Sequence, residues 1–206
     1  MAPPYALRNF GEQMMSSRER LTPISPEAIR ISDVTVLPRT LHGDPRGFLL
    51  ETLRRDDRRV RGDRFAMAYT SVTVPGEFRD RDRWHIHKVQ TDRFVVAIGE
   101  MVLALYDHRP ASPTAGCIDV VRMVGAPYQG LSFPSKKDVP TFMVSIPPGV
   151  CHCIGNLSED PFVLVNSPTE LYDPSDEGRL PFADVKIDAL HGPFAWDLVE
   201  TDAVPT

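Results

Sequence analysis

The sequence predicts an all-β fold, a barrel or sandwich of short strands. Three observations carry that reading. Twenty prolines and thirteen glycines are spread over 206 residues and interrupt short apolar runs instead of forming a low-complexity block. The runs recur at close spacing between turn residues, which is the texture of sandwiches and barrels. Helical periodicity is scarce, with only short turns expected at 26–31 and 169–177.

Strands are expected at 31–37, 47–53, 66–74, 93–98, 101–106, 118–123, 129–133, 141–146, 151–154 and 162–167. The pair 93–98 and 101–106 is apolar throughout and flanks Gly99-Glu100, which reads as a buried hairpin around a turn that needs glycine. The run ending at Ile146 is stopped by Pro147-Pro148-Gly149, with Cys151 to Ile154 resuming beyond the turn. The 206 residues with 42% hydrophobic content suffice for one sizeable core, so a single domain is expected over 31–187, with an N-terminal arm at 1–30 and a loosely tied C-terminal tail at 188–206.

Charge and composition narrow the function classes. A net charge of −5 argues against general nucleic-acid binding, where a basic face supplies most of the affinity. No apolar run reaches the roughly 18 residues that would span a bilayer, and residues 1–30 lack the apolar core of a secretory signal, so a cytoplasmic location is expected. Cys117, Cys151 and Cys153 form an odd count without framework spacing and read as reduced thiols. Charges of both signs interleave at 54–59 and 79–83, which reads as solvated loop or, for one or two of the arginines, a clamp for a diphosphate.

The chemistry concentrates in two spaced motifs. His85-Ile-His87 is followed by Asp92 and Gly99, and Pro147-Pro148-Gly149 by His152 and Asn156. Alternate side chains of a strand share a face, so His85 and His87 point the same way, while Cys151 and Cys153 face away from His152 and read as packing residues. The step from His87 to Asp92 is odd, so the carboxylate joins the imidazoles only if the chain bends or breaks between them. Three imidazoles and a carboxylate suit Fe, Mn, Ni, Cu or Zn, with His85, His87, Asp92 and His152 as candidate ligands. The same residues also suit a polar cavity without metal. The paired motifs resemble the cupin signature, with Asp92 where glutamate commonly stands and Thr141 where a glycine commonly stands a few residues before Pro147.

A wider resemblance covers about 33–186. Asp44-Pro45-Arg46-Gly47-Phe48-Leu49-Leu50-Glu51, the histidine strand, Tyr106-Asp107 followed by Ala111-Ser112-Pro113-Thr114, Ile146-Pro147-Pro148-Gly149 with His152, and Leu171-Tyr172-Asp173-Pro174-Ser175-Asp176-Glu177 occur in one order. Together they resemble the dTDP-4-dehydrorhamnose 3,5-epimerase family. The resemblance implies a cupin-type jelly-roll barrel with few short helices, a homodimer, and action without metal or other cofactor on a nucleotide-linked 4-keto-6-deoxyhexose. It implies His85 as base with His87 its competitor, His152 as second pocket histidine, Arg46 and Glu51 as nucleotide contacts, and Tyr172 as pocket wall or relay. The chain also differs from the family. The tyrosine used as acid would fall at Val165 or Asn166, the enolate-stabilising lysine at Asp92 or Arg93, and the late Ser-x-Lys-Asp segment is absent. Trp84-His85-Ile86-His87-Lys88 is similar instead to the His-x-His strand of sugar-nucleotide 3,4-ketoisomerases.

Three readings follow. The first is an epimerase or isomerase that removes protons beside the ketone of a dTDP-linked sugar. The second is a metal-dependent cupin, an oxygenase or metal-assisted isomerase, holding a divalent transition metal of unspecified identity on His85, His87, Asp92 and His152. The third is a sugar-nucleotide-binding cupin without catalysis.

Overall fold

The computed structural model describes residues 19–201. Among the described residues eleven strands form two antiparallel sheets packed face to face, a jelly roll that agrees with the all-β expectation. They are β1 (Thr35–Asp44), β2 (Gly47–Leu50), β3 (Tyr69–Thr73), β4 (Arg83–His87), β5 (Asp92–Ile98), β6 (Glu100–Asp107), β7 (Ile118–Val124), β8 (Lys137–Ile146), β9 (Val150–Gly155), β10 (Phe162–Asn166) and β11 (Glu177–Pro181). One sheet runs β2-β1-β8-β5-β10-β3 and the other β11-β4-β9-β6-β7. The described helices are single 3-10 turns such as Pro26–Ala28 and Trp196–Leu198. Among the described residues no helix is long and apolar enough to cross a membrane.

Strand β6 explains how the layers are built. Its apolar run has no polar face, so both faces must be covered. Met101, Leu103 and Leu105 turn inward and pack between the sheets with Phe94, Val144 and Ile146. Val102, Ala104 and Tyr106 turn outward and pack with Trp84, Cys151 and Cys153 under Phe182, Ile187, Leu190, Phe194 and Leu198. The segment from 188 onward is therefore not loosely tied: through 201 it closes the outer core, because β4, β6 and β9 present a second apolar face that water would otherwise meet. The expected arm lies outside the described residues up to 18. Beyond that point Leu21 bridges Val199 and Ile24 bridges Val121. All three cysteines are free, and Cys151 and Cys153 are buried in this outer core, as their alternation with His152 required.

Three other expectations change. β5 and β6 are not a hairpin: β5 pairs with β8 and β10, β6 with β7 and β9, and the chain crosses between sheets at Gly99. Glycine is needed there, at φ +78° and with the Pro161 carbonyl 2.5 Å from where a Cβ would sit. Residues 129–133 form no strand, and 169–177 holds only a turn at 174–176 before β11, which the periodicity did not reveal.

Candidate active site

The site lies between the sheets. Alternation on β4 sends His85 and His87 inward and Trp84 outward, leaving the two imidazoles 4.6 Å apart. Strand β9 pairs with β4 in a register that sets His152 opposite His85, with rings stacked at 5.0 Å and an interplanar angle of 22°. The three imidazoles converge. Asp92 joins them because β4 ends at His87, the chain turns through 88–91, and β5 opens in the facing sheet with Asp92 as its first residue.

Asp92 is almost fully buried and sits at the centre of a hydrogen-bonded network. His152 Nε2 lies 3.2 Å and His87 Nε2 3.4 Å from its Oδ2, while Gln90 and Asn166 donate to its Oδ1 at 2.9 and 2.7 Å. Desolvation alone would raise its pKa, but the hydrogen bonds and charges of His152 and His87 prevail and hold the carboxyl well below its ordinary range. On the far side of His87, Nδ1 meets Asp176 Oδ2 at 2.8 Å, and Asp176 also accepts the backbone N–H groups of Lys88, Val89 and Gln90. Burial opposes charge on His87, yet its two carboxylate neighbours outweigh it and raise its pKa. The turn that carries the chain between sheets is thus held by the carboxylate that also orients His87.

A cavity of about 340 Å³ opens beside this network, lined by His85, His152, Tyr69, Asp80 and Arg179 among others. Arg179 is carried by β11 into register with His85 and is paired to Asp80 and Glu177. His85 Nε2 is buried without a hydrogen-bond partner, the nearest carboxylate oxygen, on Glu177, being 3.8 Å away. Burial first, then the charges of His152, Arg179 and His87, push His85 down to about 2, so it is a neutral imidazole with an uncommitted nitrogen.

This has a measurable consequence for stability. The unfolded chain binds a proton at His85 near pH 6.5, whereas the folded chain rejects it until about pH 2. Stability from this group is present above pH 6.5 and is lost as pH falls below it, by about 2 kcal/mol at pH 5. Urea unfolding at pH 7 and pH 5 should show a decline smaller by about that amount in a His85→Asn variant; equal declines would contradict the assignment.

Nothing in this geometry supports the metal expectation. His85, His87, Asp92 and His152 are brought together, but His87 has Nδ1 on Asp176 and Nε2 facing Gln90, and His152 Nε2 is turned to Asp92. Each of these nitrogens has a protein neighbour, and among the described residues no group of three or more His, Cys, Asp or Glu side chains is arranged to hold a metal.

The remaining candidates lie elsewhere. Tyr172 is 70% exposed and lines a separate outer cleft with Val89 and Asp176. Arg46 is exposed and paired with Asp44 beside the β1–β2 turn, and Glu51 pairs with Arg54 on the surface. Arg93, one of the two positions aligned with the expected lysine, is buried and donates to the backbone carbonyls of Arg61, Arg64, Ser167 and Pro168. Tyr69, Asp80 and Arg179 were not legible as site residues. Tyr69 lies within an expected strand and Asp80 within a charge run, and no local spacing marks either as facing a histidine.

No protein-family model matches the chain. It is 34% identical over 155 residues, 74% of its length and 88% of the relative's, to the probable low-salt glycan biosynthesis epimerase Agl13 of Haloferax volcanii. A crystal structure of a dTDP sugar isomerase from Desulfovibrio desulfuricans superposes with a TM-score of 0.61 at 25% identity, covering 82% of this chain and 96% of that one. The same fold appears in the Legionella pneumophila dTDP-6-deoxy-D-glucose-3,5-epimerase RmlC solved with dTDP-4-keto-L-rhamnose, at TM-score 0.58, 22% identity and 79% coverage of each chain. With a probable epimerase matched over most of its length on this jelly-roll frame, the chain belongs to the dTDP-4-dehydrorhamnose 3,5-epimerase-like family of cupin sugar epimerases, as a divergent member.

Proposed function

We propose that the chain epimerises a dTDP-linked 4-keto-6-deoxyhexose by moving a proton on a carbon beside the ketone. The observation that carries this reading is the unpartnered Nε2 of neutral His85, buried at the wall of a cavity of about 340 Å³. A 4-keto group acidifies the hydrogens on its neighbouring carbons, and a neutral imidazole is the form that accepts such a proton. As it does so, the negative charge of the enolate, with Glu177 3.8 Å from Nε2, offsets the burial that otherwise disfavours the imidazolium. His152, stacked beside it and tied to Asp92, shapes the same wall. Arg179 brings a cation to the cavity, where it favours the anionic enolate oxygen or the diphosphate. Proton transfer of this kind requires no redox cofactor. His87 does not line the cavity and serves as a link between Asp176 and Asp92.

Arg46 and Glu51, assigned to the nucleotide by resemblance, lie away from the cavity of their own chain. The reading includes a homodimer, in which a second copy brings them to the nucleotide. The test is incubation with dTDP-4-keto-6-deoxyglucose in deuterated water, followed by NMR of C3 and C5. Deuterium entering at either carbon above buffer background is expected; none at either carbon would overturn the reading and favour a binding protein without catalysis.

A further inference from the structure

The two walls of the cavity differ chemically. His85 and His152 come from β4 and β9 of one sheet, whereas Tyr69 and Asp92 come from β3 and β5 of the other. A ligand between the sheets therefore has imidazoles on one side and a phenol on the other. Inversion at a carbon needs this division, because the proton must leave from one face and return to the opposite one.

Tyr69 is held in a particular way. It pairs across the strands with Asn166, whose Nδ2 donates to the Tyr69 hydroxyl oxygen at 2.9 Å and to Asp92 Oδ1 at 2.7 Å. The amide cannot flip, since its Oδ1 accepts the Arg93 backbone N–H at 2.9 Å. The hydroxyl oxygen is thus engaged as an acceptor, while its own proton has no acceptor among the described residues and is free for a ligand. Burial, helped by the negative charges of Asp92 and Glu177 and opposed by the Asn166 hydrogen bond, keeps the phenol above its ordinary pKa and therefore protonated. Asn166 occupies one of the positions where a family tyrosine is expected. It cannot be an acid, but it holds the tyrosine of the neighbouring strand.

We propose that Tyr69 returns the proton to the substrate from the face opposite His85, and that Asn166 and Asp92 are positioning residues that aim it. The inference rests on the epimerase reading above. His85 Nε2 takes the proton of the carbon beside the ketone, and the C–H electron pair forms the enolate, with negative charge on the former ketone oxygen. The enolate collapses, its carbon takes the Tyr69 hydroxyl proton, and the configuration is inverted. The phenolate regains a proton from water through its exposed side, and the His85 imidazolium releases one, so no net proton is consumed.

The test compares the parent protein with Tyr69→Phe and Asn166→Ala in deuterated water, reading solvent exchange and epimerised product separately, with thermal melting as a check on folding. Tyr69→Phe is expected to keep exchange within about threefold, by removal and return on the His85 face, while epimerised product falls about 100-fold or more. Asn166→Ala should lower epimerisation by about tenfold with little change in KM. Tyr69→Phe that epimerises at the parent rate, or that melts normally and loses exchange and epimerisation together, would overturn the assignment. A parent protein that exchanges nothing would bring down the epimerase reading itself, and this inference with it.

Discussion

Replacing His85 with asparagine is expected to lower kcat for epimerisation by about 10² to 10⁴, with KM nearly unchanged. The size follows from what a positioned general base contributes, and corresponds to about 3–5 kcal/mol of the barrier. The split between kcat and KM follows from geometry. His85 Nε2 makes no hydrogen bond in the fold, so its main interaction is with a proton in transfer, which exists only in the transition state. Solvent exchange and turnover should fall together in this variant, in contrast to Tyr69→Phe. Steady-state kinetics with a dTDP-4-keto-6-deoxy sugar, alongside the exchange assay, measure both. A variant retaining more than about a tenth of the parent rate would show that another group removes the proton.

The second large effect is on stability. Asp92→Ala is expected to destabilise the fold by about 3–5 kcal/mol, because it leaves buried groups without their acceptor. Gln90, Asn166, His87 and His152 all converge on this carboxylate. Its removal leaves the charge favoured on His87 with Asp176 alone to balance it, and leaves His152 with only a long Nδ1 contact to the Val150 carbonyl at 3.4 Å. Asp92→Asn keeps the shape and part of the hydrogen bonding, so its loss should be smaller. Urea unfolding of the three proteins at pH 7 gives the comparison. A loss below about 1 kcal/mol for the alanine variant would mean that water replaces the carboxylate at little cost and that the network is not a structural centre.

Several features of the site were legible before any coordinates. The two-residue step between His85 and His87 placed both rings on one face, and the same rule sent Cys151 and Cys153 away from His152 into the outer core. The odd step to Asp92 required a break, and the break carries the chain from one sheet to the other. The Gly99 turn was correctly placed but wrongly read as a hairpin. An apolar strand, a glycine turn and a second apolar strand look alike whether they pair or separate into facing sheets; only β8, β9 and β10, distant in sequence, decide between the two.

Tyr172 and Tyr69 show the same limit from the other side. Tyr172 stands in the segment that carries family resemblance, yet it is exposed in an outer cleft, while Tyr69 has no local mark and lines the cavity because β3 pairs with β10. Likewise, three imidazoles and a carboxylate at these spacings are compatible with either coordination or hydrogen bonding. The choice depends on where each nitrogen points, which is set by Asp176 and Gln90.

What the sequence alone determined is the all-β class, the inward faces of the histidine strands and the point where the chain must bend, since these depend on side-chain alternation and turn chemistry within a few residues. Which strands become neighbours, and therefore which phenol faces which imidazole and which groups surround each ring nitrogen, was decided by the tertiary structure. The physical reason is that strand pairing is a non-local choice, made by burying apolar faces between residues far apart in the chain, and a local pattern carries no record of its partner.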